Sequence, residues 1–458
     1  MSTAMMLEEG ALDVPEKRGK YTVGIVGCGR IGLPTACLFA EAGFKVIGAD
    51  VNSRVVALLN KGKAPFSEAG LGTLLKEHVK NGCFSATTNL RKAASISDII
   101  VFVVPTPIDK KKKPEYSLIE KPCKEVGRGL RAGSIVIVAS TTGPGITGTL
   151  VKETLENASG LKAGVDFGLA YSPTRAAPGQ VLRDIATYAR VVGAINEQSL
   201  KVASLVLSTI VKGGIIKVRN MKTAEAVKLF ENVYRDVNIS LANDFAEFCE
   251  KAGIDYLEAQ KAANTQPFCH LLIPGIVGGH IPKDPYLLLD EAENVNVKLR
   301  MLLLARKIND EMPNHTIRLV RDALKQCGKP LRRARIAILG VSYRPNVKEP
   351  RGSKTEELVK MLRTKGATVQ VYDPFYSQKE LTDMGYPTQK TLTKAVKGSD
   401  CLIIAVGHDR FKRLNLRRIK LLMRKTAAIV DMGHVTEPEV VEKEGFIYRG
   451  IGRGVWSR

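Results

Sequence analysis

The sequence predicts an α/β chain in which two doubly wound sheet domains are joined by a central helical domain with a long linking helix. Three patterns predict it. Short apolar runs alternate with amphipathic stretches from Tyr21 to about residue 218. From Thr223 to about Ala252 there is neither Gly nor Pro, and the alternation returns from Arg335.

The first alternation places strands at TVGIV (22–26), KVIGAD (45–50), DIIVFVV (98–104), SIVIVAS (134–140) and FGLAYS (167–172), with weaker ones at ARVVG (189–193) and GIIKV (214–218). Such alternation is the pattern of parallel strands linked by helices. In the middle, Val227, Phe230, Val233, Val237, Leu241, Phe245 and Phe248 recur at helical spacing. They predict a helix of about 30 residues, roughly 45 Å long at 1.5 Å per residue. A second helix is expected over 297–327, after a Gly/Pro loop. A helix of the first one's length suits a homodimer or a higher homo-oligomer. The last strands fall at RIAILGVSY (335–343), ATVQVYD (367–373), DCLIIAV (400–406) and TAAIVDM (426–432). The expected boundaries are a mobile N-terminal tail over 1–20, a first sheet domain over 21–220, a helical domain over 221–330 and a second sheet domain over 331–458.

Composition narrows the function classes. The 458 residues are 44% hydrophobic and 25% charged, an ordinary globular balance, and no apolar run reaches the roughly 20 residues of a membrane span. No secretory signal is expected at the N-terminus. Eight cysteines lie scattered without a CxxC pair, so neither a metal site nor a disulfide framework is expected, and the setting reads as reduced and cytoplasmic. The net charge of +23 comes from dispersed clusters such as Lys110 to Lys113 and Arg417, Arg418 and Lys420, without aromatic interleaving. Phosphorylated small molecules fit that surface better than nucleic acid does.

The strongest local signal is VGIVGCGRIGLPTACLFAEAGFKVIGADVN. Gly27, Gly29 and Gly32 form GxGxxG between a strand and a helix, and Asp50 ends the second strand. In this order the glycines permit a tight turn, a close backbone approach to a pyrophosphate and close helix–strand packing. The helix N-terminus adds unpaired N–H groups, and the acid suits ribose hydroxyls. The first domain is therefore expected to be Rossmann-like and to bind NAD, with Arg30 and Ile31 inside the loop. Asp50 favours NAD over its 2′-phosphorylated form, while the nearby Arg54 weakens that preference. The second sheet carries ILGVSY at the equivalent place, so the two sheets are not equivalent repeats.

Further stretches follow in a fixed order: LNKGKAPFSEAGL (59–71), VPTPID (104–109), STTGPGITG (140–148), YSPTRAAPG (171–179), AEAVKLFENVYRDVNISLANDFAEFCEKAGID (224–255), PGIVGGHIPKDPYLL (274–288), GVSYRPNVKEPRGS (340–353) and VYDP (371–374). With these the chain resembles the UDP-glucose/GDP-mannose dehydrogenase family from about residue 21 to 454, most of all its N-acetylhexosamine branch. The resemblance implies three domains, NAD as cofactor, a nucleotide-sugar substrate, and oxidation of a sugar C6 alcohol to a carboxylate through a cysteine thioester. It carries Thr106 and Thr141 over as cofactor- and water-positioning hydroxyls. Lys228 and Asn232, four apart on one helical face, become the pair that holds a developing oxyanion. Asp284 becomes the partner of that lysine, Gly278 and Gly279 part of the substrate loop, and Arg351 a contact to nucleotide phosphates across a dimer. A solvated helix face for Lys228 and Asn232, and a surface role for Arg351, are the plainer readings.

Two positions depart from the pattern. The family's loop reads GGxCxPKD or GGHCIxxD, with cysteine four residues before aspartate. Here GGHIPKD puts His280 there, in a loop one residue short: either His280 takes the cysteine slot or the cysteine is deleted beside a retained histidine. Cys269, eleven residues upstream, would need the loop to fold back. In YSPTR, Thr174 stands where relatives carry a glutamate that orders water. Both changes fall on the second half of the reaction. Three readings follow: a single two-electron oxidation with His280 as general base, a full oxidation through an aldehyde hydrate, or a non-catalytic homologue that binds NAD or nucleotide sugar. His280 as a plain loop histidine bonded to backbone also stays open.

Overall fold

The computed structural model describes residues 10 and 12–454. Residues 1–9 and 11 of the expected tail lie outside the described residues. In the remainder of that stretch one apolar residue and one cation contact the first unit. Leu12 is buried in the first core, and Arg18 donates to the Leu12 and Ala42 carbonyls at 2.6 and 3.0 Å. Two compact units emerge: Met1–Glu231 with Lys283–Lys298, and Asn232–Pro282 with Leu299–Arg458. The central helical residues are shared between them, and the long helix Met221–Ala252 passes from one to the other.

Among the described residues the first unit holds eight strands: β1 (Thr22–Val26), β2 (Lys45–Ala49), β3 (Phe84–Thr87), β4 (Ile99–Phe102), β5 (Ile135–Val138), β6 (Gly168–Tyr171), β7 (Arg190–Ala194) and β8 (Ile215–Lys217). Their order is β3-β2-β1-β4-β5-β6-β7-β8. Pairing is parallel except that β7 runs against β6, with Ala170 opposite Ala194. That reversal interrupts an otherwise parallel, doubly wound sheet. The loop after β6 re-enters the sheet at the end it left, and it is locked there by Arg190, whose guanidinium donates to the hydroxyl and carbonyl of Ser172, each at 3.0 Å. Apolar clusters cover both sheet faces, as a mostly parallel sheet requires.

The second unit builds a parallel sheet from β9 (Arg335–Leu339), β10 (Thr368–Tyr372), β11 (Cys401–Ile404), β12 (Ala428–Asp431) and β13 (Ile447–Gly450), ordered β10-β9-β11-β12-β13. In both sheets the strand order reverses beside the first strand, where ligand crevices form. Both also repeat one clamp. Gly27 (φ +94°) is followed by Cys28, whose N–H donates to Asp50 at 2.9 Å; Gly340 (φ +98°) is followed by Val341, whose N–H donates to Asp373 at 2.8 Å. The second crevice, however, is filled from within. A Cβ on Gly340 would stand 2.6 Å from Val406 Cβ. Buried His408 accepts from Asn346 N at Nδ1 (2.8 Å), so its Nε2–H points to Asp373, 3.3 Å away. No helix among the described residues is long and apolar enough to cross a membrane.

Within this unit the part of the long helix from Asn232 onward is fastened to the helix Arg300–Gln326 by buried polar groups. Arg306 pairs with Asp236 at 2.5 Å, and Asn309 donates to the Asp236 carboxylate and carbonyl, both at 2.9 Å. Asn243 accepts the Gly275 N–H at 2.7 Å and donates to Asn309 at 2.9 Å, which extends the network to the loop before GGHIPKD. Breaking a buried pair strands a charge, at about 3–5 kcal/mol. Arg306→Ala is therefore expected to lower unfolding free energy by about that amount, read from the urea midpoint of the transition.

Candidate active site

The turn after β1 is shaped by what its glycines exclude. A Cβ on Gly32 would stand 1.8 Å from the Gly27 carbonyl oxygen, and one on Gly27 would stand 2.3 Å from that of Val103. Gly29 is different: a Cβ there would meet nothing within 4 Å, so its backbone faces open space. Ile31 precedes the helix Gly32–Glu41, whose first turn carries no side-chain cap among the described residues. Leu33 N–H donates to the Gly29 carbonyl and Thr35 N–H to that of Ile31, both at 3.0 Å, and Pro34 has none, so the backbone open to a pyrophosphate is that of the turn around Gly29. Arg30 is drawn aside over the Phe66 ring, 5.1 Å from its centroid. Asp50 accepts from the N–H groups of Cys28 and Asn52, both at 2.9 Å, and stays partly exposed at the end of β2. Beside it Val51 is 78% exposed, and with Thr88, Leu90, Lys121 and Pro122 it lines a cleft of about 370 Å³. An apolar side chain left open there suits the flat face of a purine. Arg54 is the second residue of the adjoining helix Ser53–Leu59. These residues fit NAD: the glycine turn for its phosphates, Asp50 for its ribose.

Thr106 and Thr141 are brought together, since the buried Thr106 hydroxyl donates to the Thr141 carbonyl. The Thr141 loop is held from below by Glu225, a buried residue of the long helix. Its carboxylate accepts from Thr142 Oγ1 at 3.1 Å, from Thr147 N at 2.8 Å, and from Gly145 N. One turn on stands Lys228, and one turn further Asn232, both 9% exposed. This face of the helix is buried rather than solvated. Burial pushes the Lys228 ammonium below its ordinary range. The carboxylates of Asp284 and Glu231 act against that, and the guanidiniums of Arg175 and Arg190 add to it. Asp284 is fully buried at the start of the helix Asp284–Asn294 and pairs with Lys283 at 2.6 Å. Arg175 bonds Glu231 and donates to the Ala189 carbonyl at 3.0 Å, while burial lowers Arg190 to about 10. The Thr174 hydroxyl is buried without a hydrogen-bond partner among the described residues.

Sequence reasoning passed over Glu225, Glu231, Arg175 and Arg190. Glu231 and Arg175 each adjoin a residue it did single out, and a scan for opposite charges beside those positions would have found them.

In the second unit, Gly278 and Gly279 lie against the segment that carries Arg351. Gly279 N–H donates to the Gly352 carbonyl at 3.1 Å. Arg351 is 76% exposed at its side chain and is gripped by Glu349 through Nε and Nη2, at 2.9 and 2.8 Å. That contact holds its proton above the ordinary arginine range. His280 is exposed. Cys269 is partly buried, with Sγ 3.7 Å from Asn264 Oδ1. Cys28, Cys37, Cys123, Cys249, Cys327 and Cys401 are buried, and desolvation raises their thiol pKa values.

Known proteins share this arrangement. Residues 21–211 match the NAD binding domain of the UDP-glucose/GDP-mannose dehydrogenase family, 222–311 its central domain and 337–438 its UDP binding domain. The UDP-N-acetyl-D-mannosamine dehydrogenase of Pyrococcus horikoshii is 36% identical over 434 residues, spanning 94% of this chain and 99% of the relative. The NDP-N-acetyl-D-galactosaminuronic acid dehydrogenase of Ralstonia solanacearum is 31% identical over 408 residues, 87% of this chain and 93% of the relative. A solved structure of UDP-D-ManNAc dehydrogenase from Pyrococcus horikoshii superposes with a TM-score of 0.87 at 35% identity, covering 94% of this chain and 99% of that one. The chain belongs to the UDP-glucose/GDP-mannose dehydrogenase family, whose members are NAD-dependent nucleotide-sugar oxidoreductases.

Proposed function

We propose that this protein oxidises C6 of a UDP-N-acetylhexosamine, UDP-N-acetylmannosamine or a near relative. The observation that carries the reading is the buried Lys228 ammonium beside the buried Asp284 carboxylate, with the Asn232 amide one turn along the same helix. Lys228 and Asn232 present an ammonium and an amide N–H to the C6 oxygen, where negative charge develops as hydride leaves. Asp284 keeps the ammonium in place, and the Thr106–Thr141 contact fixes the loop on the cofactor side. NAD, when bound, accepts the hydride. Glycines 27, 29 and 32 with Arg30, Ile31 and Asp50 hold the cofactor, and Arg351 with Gly278 and Gly279 serves the nucleotide sugar.

A second reading, a single two-electron step ending at the aldehyde, has its own observation: the segment 278–284 contains His280 and no thiol. In that reading His280 takes the hydroxyl proton. Counting NADH per UDP-N-acetylmannosamine consumed separates the two, since full oxidation yields two and the aldehyde one. No NADH across a panel of UDP- and GDP-sugars overturns both. Turnover that is unchanged in His280→Ala removes the histidine from the chemistry.

We also place the protein in the cytoplasm, in keeping with its unpaired thiols, and as a homodimer. Phe230, Tyr234, Leu241, Phe245 and Phe248 are 40–62% exposed along one stripe of the long helix. An apolar stripe of that kind marks an interaction surface. Phe245→Asp with Phe248→Glu is expected to convert a dimer into monomers in sedimentation velocity; a wild-type monomer would refute the assembly.

Lys228 gives a further test. Its folded pKa lies below that of the unfolded chain, so its charge costs stability at neutral pH, and the cost fades as pH rises through the folded pKa toward 10.5. Lys228→Met is expected to lower kcat/KM by about 10²–10³-fold in steady-state assays. For the cofactor, Gly29→Leu is expected to abolish NAD binding in calorimetry with little change in Tm, because the new side chain enters open space. Gly32→Ala is expected to destabilise the fold by about 1–3 kcal/mol through overpacking.

A further inference from the structure

We propose that the Gly279–Gly352 contact is a positioning clasp through which a uridine diphosphate held at Arg351 orders the loop 276–282. The proposal rests on the reading that Arg351 serves the nucleotide sugar. Four observations carry it.

The two glycines require each other. Both are left-handed, at φ +70° and +71°, and the N–H of one bonds the carbonyl of the other at 3.1 Å. A Cβ on Gly352 would stand 2.6–2.8 Å from the O, N and Cα of Gly279, and a Cβ on Gly278 would stand 2.7 Å from the Gly352 carbonyl oxygen. Backbone atoms cannot yield as a side-chain tip can, so either change parts the loops.

The neighbouring residue is the phosphate candidate. Arg351 precedes Gly352 directly, and its guanidinium is gripped on one edge by Glu349 while its side chain stays 76% exposed. An arriving diphosphate competes with Glu349 for the guanidinium. Any shift of Arg351 passes through one peptide group to the carbonyl that Gly279 binds.

Tyr343 ties the same two segments from the side. Its N–H donates to the Glu349 carbonyl at 3.1 Å, and its ring would lie 2.8–3.1 Å from a Cβ on Gly279. The far end of the loop is already anchored. Asn243 accepts the Gly275 N–H at 2.7 Å, and His434 Nε2 lies 3.0 Å from the Pro274 carbonyl. With that end pinned, the clasp decides where the loop runs next, toward His280.

The test follows hydrogen–deuterium exchange of the 276–282 backbone in the full chain with and without UDP, alongside UDP affinity by calorimetry and turnover of UDP-N-acetylmannosamine. UDP is expected to slow exchange across 276–282 in the wild type. Gly352→Ala is expected to bind UDP within about threefold of wild type, to lose that protection, and to lower kcat by about tenfold or more, the scale on which small misplacements act. Gly385→Ala is the control for backbone strain alone: Gly385 has φ +84° with nothing within 4 Å, and all three readouts are expected to stay at wild-type values. UDP binding that leaves 276–282 exchange unchanged in the wild type overturns the clasp, whatever the variant does and even if Gly352→Ala fails to fold. A fall in UDP affinity matching the fall in kcat also overturns it, because that marks a general structural loss. No UDP binding at all removes the reading of Arg351 and the clasp with it, so the two failures are told apart.

Discussion

The carboxylate of Glu225 sits fully buried near the start of the long helix, and the register of the reactive groups in the first unit follows from how it is held. Burial pushes it toward its neutral form, and hydrogen bonds from Thr142, Gly145 and Thr147 act against that. A carboxylate in so dry a place needs such donors. Satisfying it fixes both the height and the rotation of the helix against the loop after β5. Lys228 then lands one turn along on the same buried face, and Glu231 reaches Arg175. The electrostatics at Lys228 are set by this attachment as much as by Lys228 itself.

The strands that the sequence revealed best are those buried on both faces. TVGIV coincides with β1, and RIAILGVSY begins where β9 does but runs four residues past its end at Leu339, since apolar runs mark a buried strand better than they mark where it stops. β3 and β13 went unseen for physical reasons. FSAT is an edge strand with one buried residue, and IYRG buries an arginine that donates to Asp322 and to the Tyr448 carbonyl. The direction of β7 was equally hidden. ARVVG reads the same either way, and the deciding contact, Arg190 with Ser172, spans residues that no local period connects.

The site was legible where geometry is local. GxGxxG with Asp50, and the four-residue step from Lys228 to Asn232, are short-range patterns, and their residues fall in the turn after β1 and on a buried helix face. The buried polar groups that support them were not. Asp236, Asn243, Arg306 and Asn309 occupy helix positions that in sequence look like solvent-facing ones, and their burial comes from how two helices pack. His280 shows the opposite limit: its place in the motif is plain, yet an exposed imidazole in a loop shows its chemistry only through what approaches it.

The filled crevice of the second sheet bears on where a dinucleotide fits. That domain retains the glycine turn and the acid of a dinucleotide binder, but Val406 and His408 occupy the space and Asp373 is turned inward. Of the two turns, the one after β1 carries Gly29, where a Cβ would meet nothing within 4 Å, whereas Ser342 at the matching place after β9 is buried, so the open space that suits a dinucleotide lies beside the first turn.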